Sequence, residues 1–277
     1  DYFGLALMVV GLGAFQLVID KGQEVDWFAD NWIRAGTAIF TLAFPLFAWW
    51  ELRRKHPFMN LRLLKSRNLT IGTTLMAVQG AVMMGSTAIL PIFMQSLLGY
   101  PAFQSGMSMM PRGIGSMAAM MMISWLVSKF GNRLMIAVGF AGLAVTLIIF
   151  SGLNLEIAPT NIILPLFFNG LMIGFTFVPL TTLTMANMRQ ADIQQASGIF
   201  SLLRNIGASI GISLMFTMQA RMAQVHQSAL ASNITSYGAQ FQVWSAQVQS
   251  LLQNPMAAYG LAYRSVVRQA VLLSFMD

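Results

Sequence analysis

The sequence predicts an all-α protein threaded repeatedly through a membrane, and three observations predict it. Of the 277 residues, 56% are hydrophobic and only 9% are charged, with a mean hydropathy of +0.66. A water-exposed domain carries about a quarter charged residues, so this chain cannot keep an ordinary surface wet. Apolar runs long enough to cross a bilayer recur along nearly the whole length, and the short alternating segments of a membrane β-barrel are absent. The positive residues, finally, gather in one short loop, which is how membrane topology is encoded. The net charge of +7 therefore reads as topology. The expected partner is the lipid bilayer, with no nucleic acid.

The first apolar run covers 2–19 and the second 31–50, forming a unit at 1–50. Between them Asp20, Glu24, Asp26 and Asp30 stand against a single Lys21. The loop 51–68 follows, where Arg53, Arg54, Lys55, Arg62, Lys65 and Arg67 stand against Glu51 alone. The positive-inside rule places this loop in the cytoplasm and the acidic turn outside. Trp27, Trp32, Trp49 and Trp50 stand where an interfacial aromatic belt would lie. Within 69–277, further spans are expected at 69–98, 103–127, 134–153, 161–185 and 196–218. Counting turns then puts 219–267 outside. That stretch is rich in Gln, Ala and Ser, and Phe241, Trp244, Val248, Leu251 and Leu252 recur at helical spacing. An eighth span begins at Arg268 and is cut short at Asp277. Asp1 is preceded by no initiator Met, basic leader or cleavage site, so the chain is expected to be a piece of a longer one.

The composition also narrows the chemistry. There is no cysteine, which excludes disulfides, thiol catalysis and thiolate metal sites. His56 and His226 lie far apart and read as solvated loop residues, so no metal site is expected. No His-x-x-x-x-Asp box, His-Glu-x-x-His helix or Gly-x-Ser-x-Gly elbow occurs, which argues against a membrane enzyme. No filter-like loop or ring-forming repeat suggests a channel.

Five segments, in order along the chain, carry a family resemblance. They are GLALMVVGLGAFQLVIDKGQEVDWF from Gly4, HPFMNLRLLKSRNLTIG from His56, LPIFMQSLLGYPAFQSGMSMMPRGIG from Leu90, GFTFVPLTTLTMAN from Gly174 and ASGIFSLLRNIGASIGIS from Ala196. Together they resemble the fourteen-helix drug/proton antiporters of the major facilitator superfamily, the EmrB/QacA type. The resemblance implies that 1–50 forms the family's two extra central helices. Residues 69–277 would then be most of the second six-helix half, with the first half missing from this chain. It further implies a multidrug efflux antiporter of the bacterial inner membrane, exporting amphipathic small molecules, with a proton as coupling ion and no cofactor. The implied partners are a periplasmic adaptor, docking at 219–267, and an outer-membrane channel. A dedicated metabolite exporter is the alternative within transport; a scaffold or channel is the alternative outside it. Asn60 stands where the family commonly has Asp, and Leu64 where it has Phe. The superfamily's loop signature has a degenerate echo at 124–133, with Ser128 in place of its Asp and Asn132 in place of one basic residue.

Charges inside a bilayer are costly and are functional candidates by default. Two lie within spans, Arg112 and Arg204. On a helix, Ser197, Ser201, Gly207, Ala208 and Gly211 share the face of Arg204, while Ser105, Ser108, Gly115, Ser116 and Ala119 share that of Arg112. Both arginines should point into the bundle. Each either binds an anionic group on the transport path or clamps helices through backbone carbonyls. Gln79, Gln95, Asn169 and Asn205 line a central cavity or bond between helices. The pairs Gly170–Gly174 and Gly207–Gly211 are expected to bring helices close. Pro91, Pro111 and Pro179 should bend their spans. The 22 methionines suit either a promiscuous apolar cavity or a lipid-facing surface.

Overall fold

The computed structural model describes every residue except 26, 55–56, 153–158, 234–238, 253–254 and 277; for 23–24, 159–160, 233, 239–240, 249, 251–252, 255–258 and 276 it describes the backbone alone. Lys55, His56, Asp26, Glu156 and Ser236 therefore lie outside the described residues. Among those described, the regular structure is helical throughout.

Capping residues set the first helix starts. Asp1 accepts the Gly4 N–H at 3.1 Å to open α1 (Tyr2–Lys21). Asp30 accepts the Trp32 N–H at 2.7 Å to open α2 (Asn31–Arg53), and Ser66 accepts that of Leu69 at 3.2 Å to open α3 (Arg67–Ser96). Each side chain satisfies a donor the helix cannot. α4 (Ala102–Phe130) follows Pro101 and stops at Gly131, whose φ of 81° is readily adopted only without a Cβ. The chain doubles straight back as α5 (Asn132–Ser151). α6 (Pro159–Met185), α7 (Ile193–Asn233), α8 (Ala239–Leu252) and α9 (Pro255–Met276) complete the order.

Seven of these, α1 to α7, are long and apolar enough to cross a membrane. The chain is a multi-pass helical membrane protein, as its composition predicts. Within the segment expected as a long outer loop, the described residues turn out helical. α7 has 41 residues and so runs about 60 Å, roughly twice the hydrocarbon thickness. Nothing stops it at Met218, because 219–232 contains neither Gly nor Pro. His226 thus sits on a helix rather than in a loop. α9 likewise starts at Pro255, a favoured first helical residue, well ahead of Arg268.

α3 packs along α7, α6 lies between α4 and α5, α1 pairs with α2, and α9 returns along α7. Hydrocarbon surroundings give helices little hydrophobic reason to associate, so close packing must hold them together. The glycines provide it. A Cβ at Gly207 would overlap the carbonyl oxygen of Ala77, and one at Gly211 would overlap that of Ala81, so α7 touches the α3 backbone. Gly170 lies against the Arg112 carbonyl oxygen and Gly174 against Ala119, seating α6 on α4. The α1–α2 pair leans on α7 through Ser209 Oγ donating to Gln16 Oε1 at 2.6 Å and Ser213 Oγ to the Ile19 carbonyl at 2.9 Å. Prolines lie inside α2, α3, α4 and α6, with Pro45 and Pro165 joining the three expected.

Because the crossing helices alternate in direction, Arg53, Arg62, Lys65, Arg67, Lys129, Arg133 and Arg189 fall on one face of the bundle. Asp20 and Asp30 fall on the other. At the basic face, Arg53 and Arg54 stack on Trp49 and Trp50 at 4.3 and 4.2 Å. Glu51 is buried there, with Oε2 accepting the Met59 N–H at 3.1 Å.

Candidate functional site

The two membrane arginines look alike in sequence and differ in the fold. Ser105, Ser108, Arg112, Gly115 and Ala119 form the buried face of α4. From it the Arg112 guanidinium crosses to α3, donating to Thr87 Oγ1 at 2.7 Å, Ser86 Oγ at 3.2 Å and the Met83 carbonyl at 3.2 Å. These acceptors occupy one turn of α3. Ser86 and Thr87 also donate to their own helix, so both hydroxyl lone pairs and protons are in use. This arrangement is a helix clamp between α3 and α4, built on hydroxyls and a carbonyl.

Arg204 sits where α3, α6 and α7 meet. Its backbone lies against Gly80 of α3, and its guanidinium lies 5.9 Å from the Phe177 ring centroid on α6. A cation over a ring face is stabilised by about 0.5–1 kcal/mol at accessible sites. The side chain is half-buried and has no hydrogen-bond acceptor among the described residues. Its small-residue stripe divides at this point. Gly207 and Gly211 are buried against α3, while Ser197 and Ser201 are exposed.

The polar candidates separate similarly. Gln79 is buried, donating to the Ile173 carbonyl at 3.2 Å, and Asn169 is fully buried, donating to Thr146 Oγ1 at 2.8 Å. Both join helices, and each keeps a side-chain oxygen buried without a partner. Gln95 and Asn205 are exposed, with Asn205 next to Arg204 on α7. The structure therefore sets Arg204 half-buried at the meeting of α3, α6 and α7 beside the exposed Asn205, places Gln79, Asn169 and Arg112 inside the half-bundle, and leaves Gln95 exposed and apart. The methionines divide as well: Met76 and Met94 are fully buried, whereas Met107, Met110, Met117, Met120, Met121 and Met122 of α4 are exposed. Ser86 and Thr87, which anchor Arg112, are the residues that sequence reasoning missed. Their signal was two adjacent hydroxyls inside an apolar span.

Crossing helices joined by buried polar groups define a polytopic membrane protein. Residues 2–212 match the Major Facilitator Superfamily, and the chain belongs to that family. It is 31% identical over 277 residues to the fatty acid resistance protein FarB of Neisseria gonorrhoeae, covering 99% of this chain and 54% of that protein. It is 27% identical over 279 residues to the multidrug export protein EmrB of Escherichia coli K12, again covering 99% and 54%. A colistin resistance protein EmrB of Acinetobacter baumannii is 25% identical over 284 residues, with 100% and 55% covered. These names agree with the EmrB-type resemblance carried by the five sequence segments. The chain spans about half the length of the curated relatives it matches.

Proposed function

We propose that this chain is the second half, with the two extra helices, of a secondary-active multidrug exporter of the bacterial inner membrane. The exported compounds are amphipathic, and proton entry drives their export. The observation that carries the reading is Arg204. A guanidinium facing into a membrane bundle calls for a partner, because a charge held at membrane depth without one is costly. Among the described residues it has only a ring face, and it borders an open surface of small polar residues. A first-half carboxylate or the anionic group of a substrate would complete it. The relatives named for fatty acid resistance, multidrug export and colistin resistance support export of amphiphiles and speak against an enzyme. Proton coupling rests on the family resemblance.

The test is dye efflux from vesicles holding the full-length protein, with a proton gradient imposed and then collapsed. Gradient-dependent export of several unrelated dyes is expected. Export of a single metabolite would favour the dedicated-exporter alternative, and uptake independent of any gradient would favour a channel. The end of α7, α8 and the start of α9 form the proposed adaptor platform. There the Phe241 ring packs on Trp244 at 5.9 Å and Tyr259 at 5.6 Å, with Val243 and Tyr263 exposed beside them.

A further inference from the structure

A cavity that Arg204 does not line lies at the basic face, between the first turns of α3 and α5 and the last turn of α6. Its volume is about 610 Å³. At its mouth, by the helix termini, stand Arg67 and Asn68 of α3 and Arg133 of α5, while further along α3 the half-exposed Ile71 and Leu75 line it with Leu180 and Thr184 of α6. Residues 67 to 75 span eight positions on one helix, so the cavity runs roughly 12 Å along α3 at 1.5 Å per residue. It is thus cationic at the polar end and apolar toward the hydrocarbon.

The charge at the mouth is uncompensated. No carboxylate lines the cavity, and neither Arg67 nor Arg133 has a hydrogen-bond or ion-pair partner among the described residues. Three other arginines at this face are occupied: Arg53 and Arg54 stack on tryptophans, and Arg62 donates to the Leu52 carbonyl at 2.7 Å. The N-terminus of α5 adds to the positive field, because Gly131 offers no side chain to cap it. Two guanidiniums from different helices over an apolar shaft match one ligand chemistry, an anionic head on an apolar tail. A free inorganic anion would leave the shaft unfilled, and a neutral lipid would leave the arginines unpaired.

We propose that this cavity binds a single anionic amphiphile, its head between Arg67 and Arg133 and its tail along Ile71 and Leu75. The amphiphile comes either from the membrane, as an anionic phospholipid, or from solution, as a fatty-acid-type anion. The site is separate from Arg204, and its occupancy does not depend on the transport reading.

The test uses the full-length protein in detergent, titrated separately with dioleoylphosphatidylglycerol, oleate, dioleoylphosphatidylcholine and inorganic phosphate. Native mass spectrometry counts the bound molecules. One tight molecule of phosphatidylglycerol or of oleate is expected, and the one that binds tighter identifies the source. Losing one charge-assisted pair weakens binding about tenfold, so Arg67→Gln and Arg133→Gln should each do so while Arg53→Gln has no effect. Ile71→Trp keeps both arginines and fills the shaft, so it should abolish the tight site in a protein that still elutes as a single species. Equal binding by the arginine variants and the unaltered protein overturns the proposal. So does phosphatidylcholine binding as tightly as phosphatidylglycerol, or phosphate displacing either amphiphile at equal concentration.

Discussion

The Arg112 guanidinium donates to Thr87 Oγ1 at 2.7 Å, joining α4 to α3 across 25 residues of sequence. The same side chain reaches Ser86 and the Met83 carbonyl, so one turn of α3 receives the whole fork. Arg112 is thereby held as structure. Replacing it with Ala should lower the yield of folded protein and its melting temperature, by an amount corresponding to about 1–3 kcal/mol for a buried, charge-assisted bond set. Lys keeps the charge but loses the planar fork and should recover only part of the loss. Thermal unfolding in detergent measures both. Variants that melt like the unaltered protein would remove Arg112 from the scaffold.

Gly207 gives a sharper packing test, because its neighbour is backbone. A Cβ there meets the Ala77 carbonyl oxygen, which cannot swing aside as a side chain could. Gly207→Ala should destabilise the α3–α7 contact by about 1–3 kcal/mol, the usual range for overpacking. Gly106→Ala on α4 is the control, since nothing lies within 4 Å of its Cβ position. It should be neutral or slightly stabilising through helix propensity. Equal melting of the two variants would mean that α3 and α7 are not in backbone contact.

The crossing helices are legible in the sequence because a run of twenty apolar residues has one stable outcome in a bilayer. The contrast between Arg112 and Arg204 is not. Both lie on small-residue faces, and 3.6-residue periodicity shows that each points inward without showing which helix it meets. Arg112 meets the hydroxyls of α3, whereas Arg204 meets Gly80 and the Phe177 ring, and only the pairing of helices decides this. Hydropathy likewise locates the apolar end of α7 near Met218. It does not see that the helix continues through Gln, Ala and Ser, since those residues are polar enough for water yet still permit helix.

Orientation is the next test. Lys65 ends a short helical turn at the basic face, and Ser232 lies on the exposed far end of α7. The native sequence has no cysteine, so single-cysteine labelling is clean in this region. An impermeant maleimide should label Ser232→Cys in intact cells, and Lys65→Cys only after the membrane is broken. The reverse pattern would invert the topology and place the proposed adaptor platform in the cytoplasm. With the expected pattern, deleting 232–253 should abolish adaptor co-purification while leaving membrane insertion intact. Retained co-purification would move the docking site elsewhere.

Arg204 separates a transport role from a scaffolding one. It contacts the Phe177 ring at 5.9 Å and has no hydrogen-bond acceptor among the described residues, so removing it breaks no bonded network within this half. Expression and melting temperature should therefore stay near normal in Arg204→Ala, unlike Arg112→Ala. If the guanidinium engages a first-half carboxylate or a substrate anion, its loss removes an interaction worth about 1.5–3 kcal/mol, and efflux should fall roughly tenfold to a hundredfold. Arg204→Lys retains a point charge but not the two-pronged geometry, so it should fall between Ala and the unaltered protein. Dye efflux at matched protein levels measures all three. Transport at the unaltered rate in both variants would take Arg204 off the path, and loss of folded protein in Arg204→Ala would assign it to the same structural class as Arg112.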